Sequence, residues 1–331
     1  MSTRQKVLDF LMEAAPEPIS GQFMADHLAC SRNAIWKAIE QLRSEGYQIN
    51  QQGRKGYVLV DSVNHLELTQ LKQRLATIWP ELAITIEEKV NSTNDLAKIH
   101  ATQSPTVPGL FIATEQTKGR GRHGRSFVSS LDHGLYLSLV FTPKVDSLND
   151  ITLYTTLAAA AMTKAISHYT ASPLEIKWVN DLFYQNKKVA GILCESMIDI
   201  ESHQVSSIII GIGLNLAGNF EQESEEIKQV AGTIFGDAIP PNFNYNQMLA
   251  LFIEYFCEYE QNIDKREHLD YYQERLLGLN QKVSYLQNGQ TQSAIIRGID
   301  KDGHLLVEHD NRNIEALFGS EIHFSSTQFS K

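Results

Sequence analysis

The sequence predicts an α+β protein in three parts: an N-terminal winged helix-turn-helix, a central mixed α/β domain and a small C-terminal β domain. Three observations predict it. The first sixty residues place apolar side chains at helical spacing three times over, then give two short β-like runs around a basic turn. The middle of the chain alternates β-branched runs with alanine- or aromatic-rich helical stretches, and the end breaks into short β-like runs at Asn288-Gly289 and Asp302-Gly303, both hairpin signals. For 331 residues, at roughly 150 per domain, this places the parts at 1–62, 63–276 and 277–331.

Composition narrows the class. With 42% hydrophobic and 21% charged residues the chain is of ordinary globular make-up, which excludes a disordered or membrane protein. The first residues run into an amphipathic segment, and Ile208-Ile209-Ile210 is interrupted by Gly211 and Gly213, so neither an export signal nor a membrane contact is expected. Cys30, Cys194 and Cys257 are far apart and never in C-x-x-C spacing; they read as reduced thiols of a cytoplasmic protein. The eleven histidines include no H-E-x-x-H, so no metal held by protein ligands alone is expected. Residues 1–60 carry seven Lys/Arg against six Asp/Glu, net +1, while the rest of the chain carries 22 against 33, net −11. Phosphate contact depends on where the cations lie, with screening beyond about 10 Å at 0.1 M salt, so the N-terminus is the candidate DNA face.

Val7, Leu8 and Leu11 define a first helix, bounded on its far side by Pro16 and Pro18. Ser20 is placed to cap a second helix running to Leu28. Ser31 is placed to cap a third, whose Ile35, Ile39 and Leu42 fall at i, i+4 and i+7 and which Gly46 ends. Its opposite face carries Arg32, Asn33, Trp36, Lys37 and Gln41, so Ser31, Arg32, Asn33, Trp36 and Lys37 are candidate contacts to phosphates and base edges. Residues 47–49 and 57–60 read as strands joined by Gly53-Arg54-Lys55-Gly56, with Arg54 and Lys55 at the tip to meet a phosphate. A helical docking module with a solvated face, or Trp36 packed on the wing, is the competing reading; the cationic tip favours DNA.

In the central part, residues 110–113, 135–141, 174–178, 189–193 and 208–212 read as strands, and 153–166 and 245–259 as helices. The densest chemistry is Gly119-Arg120-Gly121-Arg122-His123-Gly124-Arg125, where glycines expose backbone N–H groups and three arginines add fixed charge suited to phosphate or carboxylate. It satisfies G-x-G-x-x-G and nearly the Walker pattern, but no helix is signalled after it and the lysine is missing, so neither assignment follows. A surface arginine-glycine loop or a second nucleic-acid patch stays open. Asn91-Ser92-Thr93-Asn94 places four small polar side chains in a row, which alone reads as a helix cap. Lys177-Trp178-Val179-Asn180-Asp181 ends one strand, and Lys187 and Lys188 open another with opposite facings, so one of the two lysines faces a given pocket. Gly211-Ile212-Gly213-Leu214-Asn215 closes a further strand with backbone clearance and an amide.

These segments, in this order and behind a winged helix, resemble the biotin protein ligase family, and in particular its bifunctional members that also repress the biotin operon. The resemblance covers essentially the whole chain. It implies that Ser92, Thr93, Asn94 and Gln116 hold the biotin ring, with Gly121, Gly191 and Gly211 lining the pocket. Arg120 and Arg122 would cover the biotin carboxylate and the phosphate, and Lys188 would bridge them; these three are the catalytic candidates. Arg122, Arg125, Phe127, Asn180, Asp181 and Asn215 would serve ATP, Asp181 through the magnesium that ATP carries. Attack of a carboxylate on the α-phosphorus joins two anions, which positioned cations favour, and the resulting biotinyl-5′-AMP needs a covering loop that excludes water. A biotin carboxyl carrier protein, operator DNA and a homodimer formed when biotinyl-5′-AMP is bound are the implied partners. The chain departs from the pattern at Val179, where the family has proline, at His123, where arginine is common, and at Phe127, where bifunctional relatives have tryptophan. Phenylalanine stacks on adenine with less area.

In the C-terminal part, Val283, Ile295, Ile299, Leu305, Val307 and Ile314 are expected to fill one small core. The resemblance implies an SH3-like β-barrel that assists ATP and acceptor binding. Two other functions compete: a biotin-sensing transcription factor without ligase activity, and a lipoate or octanoate transferase of the related fold. Lys188 and Asp181 argue against the first, the loop 119–125 against the second.

Overall fold

The computed structural model describes residues 2–14, 17–44, 47–53, 55–61, 66–124, 127, 129, 133–144, 151–199, 201, 204–287, 289–318 and 322–324. The chain divides into two compact units, one of residues Met1–Ala76 and Pro240–Ala250, the other of Thr77–Ile239 and Leu251–Lys331.

The first unit holds α1 (Thr3–Ala14), α2 (Gly21–His27), α3 (Arg32–Ser44), β1 (Gln48–Gln51), β2 (Tyr57–Asp61) and α4 (Leu68–Leu75). Both expected caps form: Ser20 Oγ accepts from Phe23 N at 2.9 Å and Ser31 Oγ from Ala34 N at 3.1 Å. Val7, Leu8 and Leu11 meet Met24, Ile35, Ile39, Leu42, Ile49 and Leu59 in one core, each aliphatic side chain contributing about 1.5–3 kcal/mol by leaving water. β1 and β2 pair antiparallel as the wing. Its base requires a glycine at 56, where φ is +122° and a Cβ would stand 2.1 Å from Ile19 O. Ile19 and Tyr57 exchange backbone hydrogen bonds of 2.8 and 2.9 Å at that crossing. The glycine predicted to end α3, Gly46, lies outside the described residues.

The second unit is built on a seven-stranded sheet. In chain order come β3 (Ala83–Val90), α5 (Thr93–Gln103), β4 (Gly109–Gln116), β5 (His133–Phe141), α6 (Ile151–Ile166), β6 (Glu175–Lys177), β7 (Asp181–Tyr184), β8 (Lys187–Ile198), β9 (Val205–Ala217) and α7 (Glu225–Val230). Then follow α8 (Tyr245–Gln261), whose first residues belong to the first unit, and α9 (Glu267–Glu274). The strand order is β3-β4-β5-β9-β8-β7-β6, parallel between β3 and β4 and antiparallel elsewhere. α5 packs on β4, β5 and β9, while α6 packs on β8, β9 and α9 and is buried along nearly its whole length, as its alanine-rich composition demands.

Two strands of this sheet escape the sequence reading. β3 is an edge strand whose Ile84 and Ile86 are followed by Glu87, Glu88 and Lys89, so its alternation fades where it meets solvent. β7 has only four residues.

The chain closes with a five-stranded antiparallel sheet of β10 (Lys282–Gln287), β11 (Gln290–Ile299), β12 (Leu305–Glu308), β13 (Ile314–Leu317) and β14 (Ile322–Phe324), in the order β13-β12-β11-β10-β14. Gly289 and Gly303 turn the two expected hairpins with φ of +78° and +79°. The predicted core needs correction. β11 turns Ala294 and Ile296 inward, leaving Ile295 and Ile299 only partly covered, and Ile314 is 58% exposed on edge strand β13; Tyr285, Ala294, Ile296 and Leu317 take their places beside Val283, Leu305 and Val307. Alternation fixes which of two adjacent apolar residues faces in, and the turn sets that register. Among the described residues no helix is long and apolar enough to cross a membrane.

Candidate functional site

Register across the sheet assembles the site. Ala113 on β4 pairs with Tyr136 on β5, Tyr136 with Gly213 on β9, Gly213 with Gly191 on β8, and Gly191 with Asp181 on β7. Residues opposite one another share a face, so these five form one row. The next row of that face runs Phe111, Ser138, Gly211, Leu193. Glycine is required here because other side chains lie on it. A Cβ at Gly211 would stand 2.1 Å from Asn94 Oδ1, and one at Gly213 would stand 2.5 Å from the Phe127 ring.

At one end of this face lies a neutral hydrogen-bonded network. α5 begins at Thr93 behind Ser92, and Ser92, Thr93 and Asn94 are all buried. Gln116 Oε1, at the end of β4, accepts from Thr93 N at 2.8 Å and lies 3.1 Å from Thr93 Oγ1. Ser138, fully buried in β5, contacts Thr93 Oγ1 at 2.7 Å and donates to Asn94 Oδ1 at 2.5 Å. Asn94 Nδ2 donates to Glu195 on β8 at 2.7 Å, and Lys98 holds the other oxygen of that carboxylate at 2.7 Å. The sequence reading found Ser92, Thr93, Asn94, Gln116 and Gly211 but missed Ser138 and Glu195. Ser138 had a signal, being the one polar residue in Leu135-Tyr136-Leu137-Ser138-Leu139.

At the other end the groups are charged. Lys188 Nζ lies 2.7 Å from Asp181 Oδ1, and Lys177, itself buried, lies 3.9 Å from Asp181 Oδ2. Burial works to raise the Asp181 carboxyl, but Lys188, Lys177 and Arg122 outweigh it and hold it below the ordinary carboxylate range. Tyr272 beside them is buried near Asp181, which pushes its hydroxyl well above the usual range, and it donates to Val179 O at 3.1 Å. The Trp178–Val179 peptide is cis. Lys187 turns the other way, donating to Lys228 O at 3.1 Å and Gln229 O at 2.5 Å at the end of α7, so one of the two adjacent lysines reaches the site, as alternation requires.

The glycine-arginine loop divides its cations. Arg122, in a 3-10 turn Arg122–Gly124, donates to Asn180 Oδ1 at 3.3 Å; burial lowers its guanidinium and Asp181 opposes that. Arg120 is instead ion-paired with Asp95 on α5 and exposed, so it does not join Arg122 and Lys188; Gly121 between them is half-buried. Phe127 N donates to Gly119 O at 3.0 Å, closing the loop. The Phe127 ring lies over Gly191 and Gly213 and edge-on to Tyr136 at 6.3 Å. Asn180 is committed to β8, its Nδ2 donating to Ile192 O at 3.0 Å. Asn215, buried, donates to Gly232 O at 3.3 Å while its Oδ1 has no partner among the described residues. Arg125 lies outside the described residues.

In the first unit the exposed side of α3 carries Arg32, Asn33, Trp36 and Lys37, behind Ser31 at its N-terminus, while Ile35, Ala38, Ile39 and Leu42 are buried. Trp36 is 50% exposed, which removes the reading that packs it on the wing. Lys55 is exposed on the wing; Arg54 lies outside the described residues.

Fold and site define a helix-turn-helix protein carrying a ligase-type sheet domain. A profile of the Biotin/lipoate A/B protein ligase family matches residues 87–215, and one of an HTH domain matches residues 3–58. The chain is 31% identical over 323 residues to the bifunctional ligase/repressor BirA of Bacillus spizizenii, spanning 96% of this chain and 98% of that one. It is 29% identical to the protein of that name from Escherichia coli, over 93% of this chain and 94% of that one. The structure of a point mutant of the biotin protein ligase from Aquifex aeolicus, in complex with biotin, superposes with a TM-score of 0.58 at 25% identity, over 73% of this chain and 98% of that one. The chain belongs to the bifunctional biotin ligase/repressor family.

Proposed function

We propose that the sheet face binds biotin at its neutral end and ATP at its charged end, and joins them in two steps. A biotin carboxylate oxygen attacks the α-phosphorus of ATP, forming biotinyl-5′-AMP as pyrophosphate leaves. A lysine amine of a biotin carboxyl carrier protein then attacks the acyl carbon, forming the amide as AMP leaves and the amine gives up a proton. The observation that supports this reading is the pair of neighbouring rows Asp181-Gly191-Gly213-Tyr136 and Leu193-Gly211-Ser138, which set an ion cluster and an amide-hydroxyl network at opposite ends of one glycine floor.

Each residue has a part. Ser92, Thr93, Asn94 and Gln116 hold the biotin ring, with Gly191 and Gly211 giving it room. Lys188 leaves Asp181 for the oxygens between carboxylate and α-phosphate, and Arg122 stabilises the charge that develops there. Arg120 and Gly121 close over the carboxylate, Arg120 first giving up Asp95. Phe127 stacks on the adenine, and Asn180, Asn215 and Arg125 serve the nucleotide, Asn215 with its open acceptor. Magnesium arrives on ATP and neutralises phosphate charge. With Lys188 gone, Asp181 keeps Lys177 3.9 Å from Oδ2 and would hold that ion through water.

In the first unit, Ser31, Arg32, Asn33, Trp36 and Lys37 enter the major groove of operator DNA and Arg54 and Lys55 touch the backbone. One such reader with few cations binds weakly, so biotinyl-5′-AMP acts by favouring a homodimer that presents two readers in the cytoplasm. The functional parts are 1–62, 63–276 and 277–331. The test is to incubate the protein with labelled biotin, ATP, magnesium and a carrier domain, with lipoate and octanoate in parallel. Labelled carrier from biotin alone is the expected result; transfer of lipoate or octanoate instead, or no adenylate at all, overturns the assignment. Sedimentation and DNA titration with biotin and ATP check the repressor half, and a dimerisation indifferent to both ligands removes the coupling.

A further inference from the structure

The network at the neutral end has a determined direction. Glu195, paired with Lys98 at 2.7 Å, is a carboxylate and only accepts. Asn94 therefore gives it the NH2 at 2.7 Å and turns Oδ1 toward Ser138. Two oxygens 2.5 Å apart need a proton between them, and Ser138 supplies its own. With that proton spent on the shorter contact, the 2.7 Å contact between Ser138 and Thr93 takes the Thr93 proton in preference to Gln116 Oε1, which lies farther from that hydroxyl at 3.1 Å and already accepts from Thr93 N. Thr93 Oγ1 is left as an acceptor. On its other side the Thr93 N–H, 2.8 Å from Gln116 Oε1, fixes that amide with Nε2 outward, one of its hydrogens on Ser129 Oγ at 3.4 Å and the other left to donate. A reversed order would leave Asn94 Oδ1 and Ser138 Oγ facing each other without a proton in a buried site, which is costly.

The pair of groups so produced, an acceptor at Thr93 and a donor at Gln116, complements a cyclic urea, whose ring N–H groups flank a carbonyl. We propose that Glu195 is a positioning residue that fixes the donor and acceptor sense of the urea site through Asn94, Ser138 and Thr93, and so makes the protein select a ring N–H. This rests on the reading that biotin binds at Thr93 and Gln116.

Glu195→Gln tests it. The new amide both gives and accepts, so Asn94 is free to turn over and the chain to run backwards. The substrates are biotin and the two cyclic carbamates in which one or the other ring N–H is replaced by oxygen. Wild type is expected to use at least one carbamate about 100-fold less efficiently than biotin by kcat/KM, since a site built to bond an N–H rejects its absence. In Glu195→Gln the KM for biotin rises about tenfold, discrimination falls below about tenfold, and the KM for ATP stays at the wild-type value. Ser138→Ala, which cuts the chain in its middle, loses discrimination in the same way. Wild-type discrimination in both variants overturns the proposal, and so do equal use of all three substrates by wild type and a parallel loss of biotin and ATP binding. Thr93→Val separates the two readings. If it keeps wild-type biotin kinetics, biotin binds elsewhere and the site reading fails; if it loses biotin while Glu195→Gln still discriminates, the site stands and Glu195 has no such role.

Discussion

The two ends of the sheet face solve opposite problems with the same backbone. Thr93, Asn94 and Ser138 are neutral, backed by the single Glu195–Lys98 pair, and their orientation is settled by hydrogen bonds of 2.5 to 2.8 Å, whereas around Asp181 three cations share one carboxylate. A network of the first kind holds a shape and resists change. The second kind holds surplus positive charge that an incoming anion can claim, three cations standing against one carboxylate. On the proposed reading the difference separates binding from chemistry along one face of the sheet, so substitutions at the two ends should fail differently.

The largest effect is expected from Lys188→Ala. Adenylate formation, followed by biotin-dependent pyrophosphate exchange, should fall about 10³-fold with little change in the KM for biotin, since the lost cation serves the transition state. Normal exchange in that variant removes Lys188 from the chemistry. Gly211→Ala should do the reverse. Its Cβ would press on Asn94 Oδ1 at 2.1 Å and displace the neutral network, raising the KM for biotin by roughly 10²-fold while the KM for ATP stays put. Equal changes in both constants would mean that the two ends are not separable.

A buried histidine away from both ends serves as a control. His268, between α6 and α9, is lowered by burial and by Arg266 to about 3, from an ordinary 6.5. Its folded value lies below its unfolded one, so its contribution to stability is fully present above pH 6.5 and is lost as pH falls toward about 3. Between pH 7 and pH 5 this is on the order of 2 kcal/mol. Denaturant midpoints of wild type and His268→Gln at the two pH values should differ in slope by that amount, with biotin and ATP constants at pH 7 unaltered; identical slopes would show that His268 does not titrate on unfolding. The smallest effect belongs to the first unit. Lys37→Ala should weaken DNA binding and flatten its dependence on salt by about one unit of log-log slope, leaving adenylate formation unchanged. An unchanged slope would take Lys37 off the phosphate backbone.

The sequence made some of this visible and not the rest. Local patterns carried far: Ser20 and Ser31 cap where they were expected to, Gly289 and Gly303 turn the hairpins, and the alternation of Lys187 and Lys188 sends them apart. Pairing between distant segments did not carry. Glu195 acquires its importance from Asn94 and Lys98, about a hundred residues earlier, and nothing local in Cys194-Glu195-Ser196 announces it. In the sequence Lys177 reads only as the end of a strand, although its pairing with Asp181 across β6 and β7 buries it in the ion cluster. Ile295 and Ile314 read as core residues of the C-terminal sheet from their apolar character alone, which does not reveal register.

The row Ala113, Tyr136, Gly213, Gly191, Asp181 also bears on when the chain becomes competent during its own synthesis and folding. Its members are drawn from five strands spread over a hundred positions, and the partner of β5 in the middle of the sheet, β9, is the last of the five to emerge. Non-local pairing of this kind forms late, after the entropy of closing long loops has been overcome. A partly folded chain therefore has Thr93 and Asn94 in hand but neither the floor beneath them nor Asp181 opposite. The site is complete only once β9 has joined β5 and β8, and on the proposed reading a chain short of that pairing has no place to form an activated acyl group.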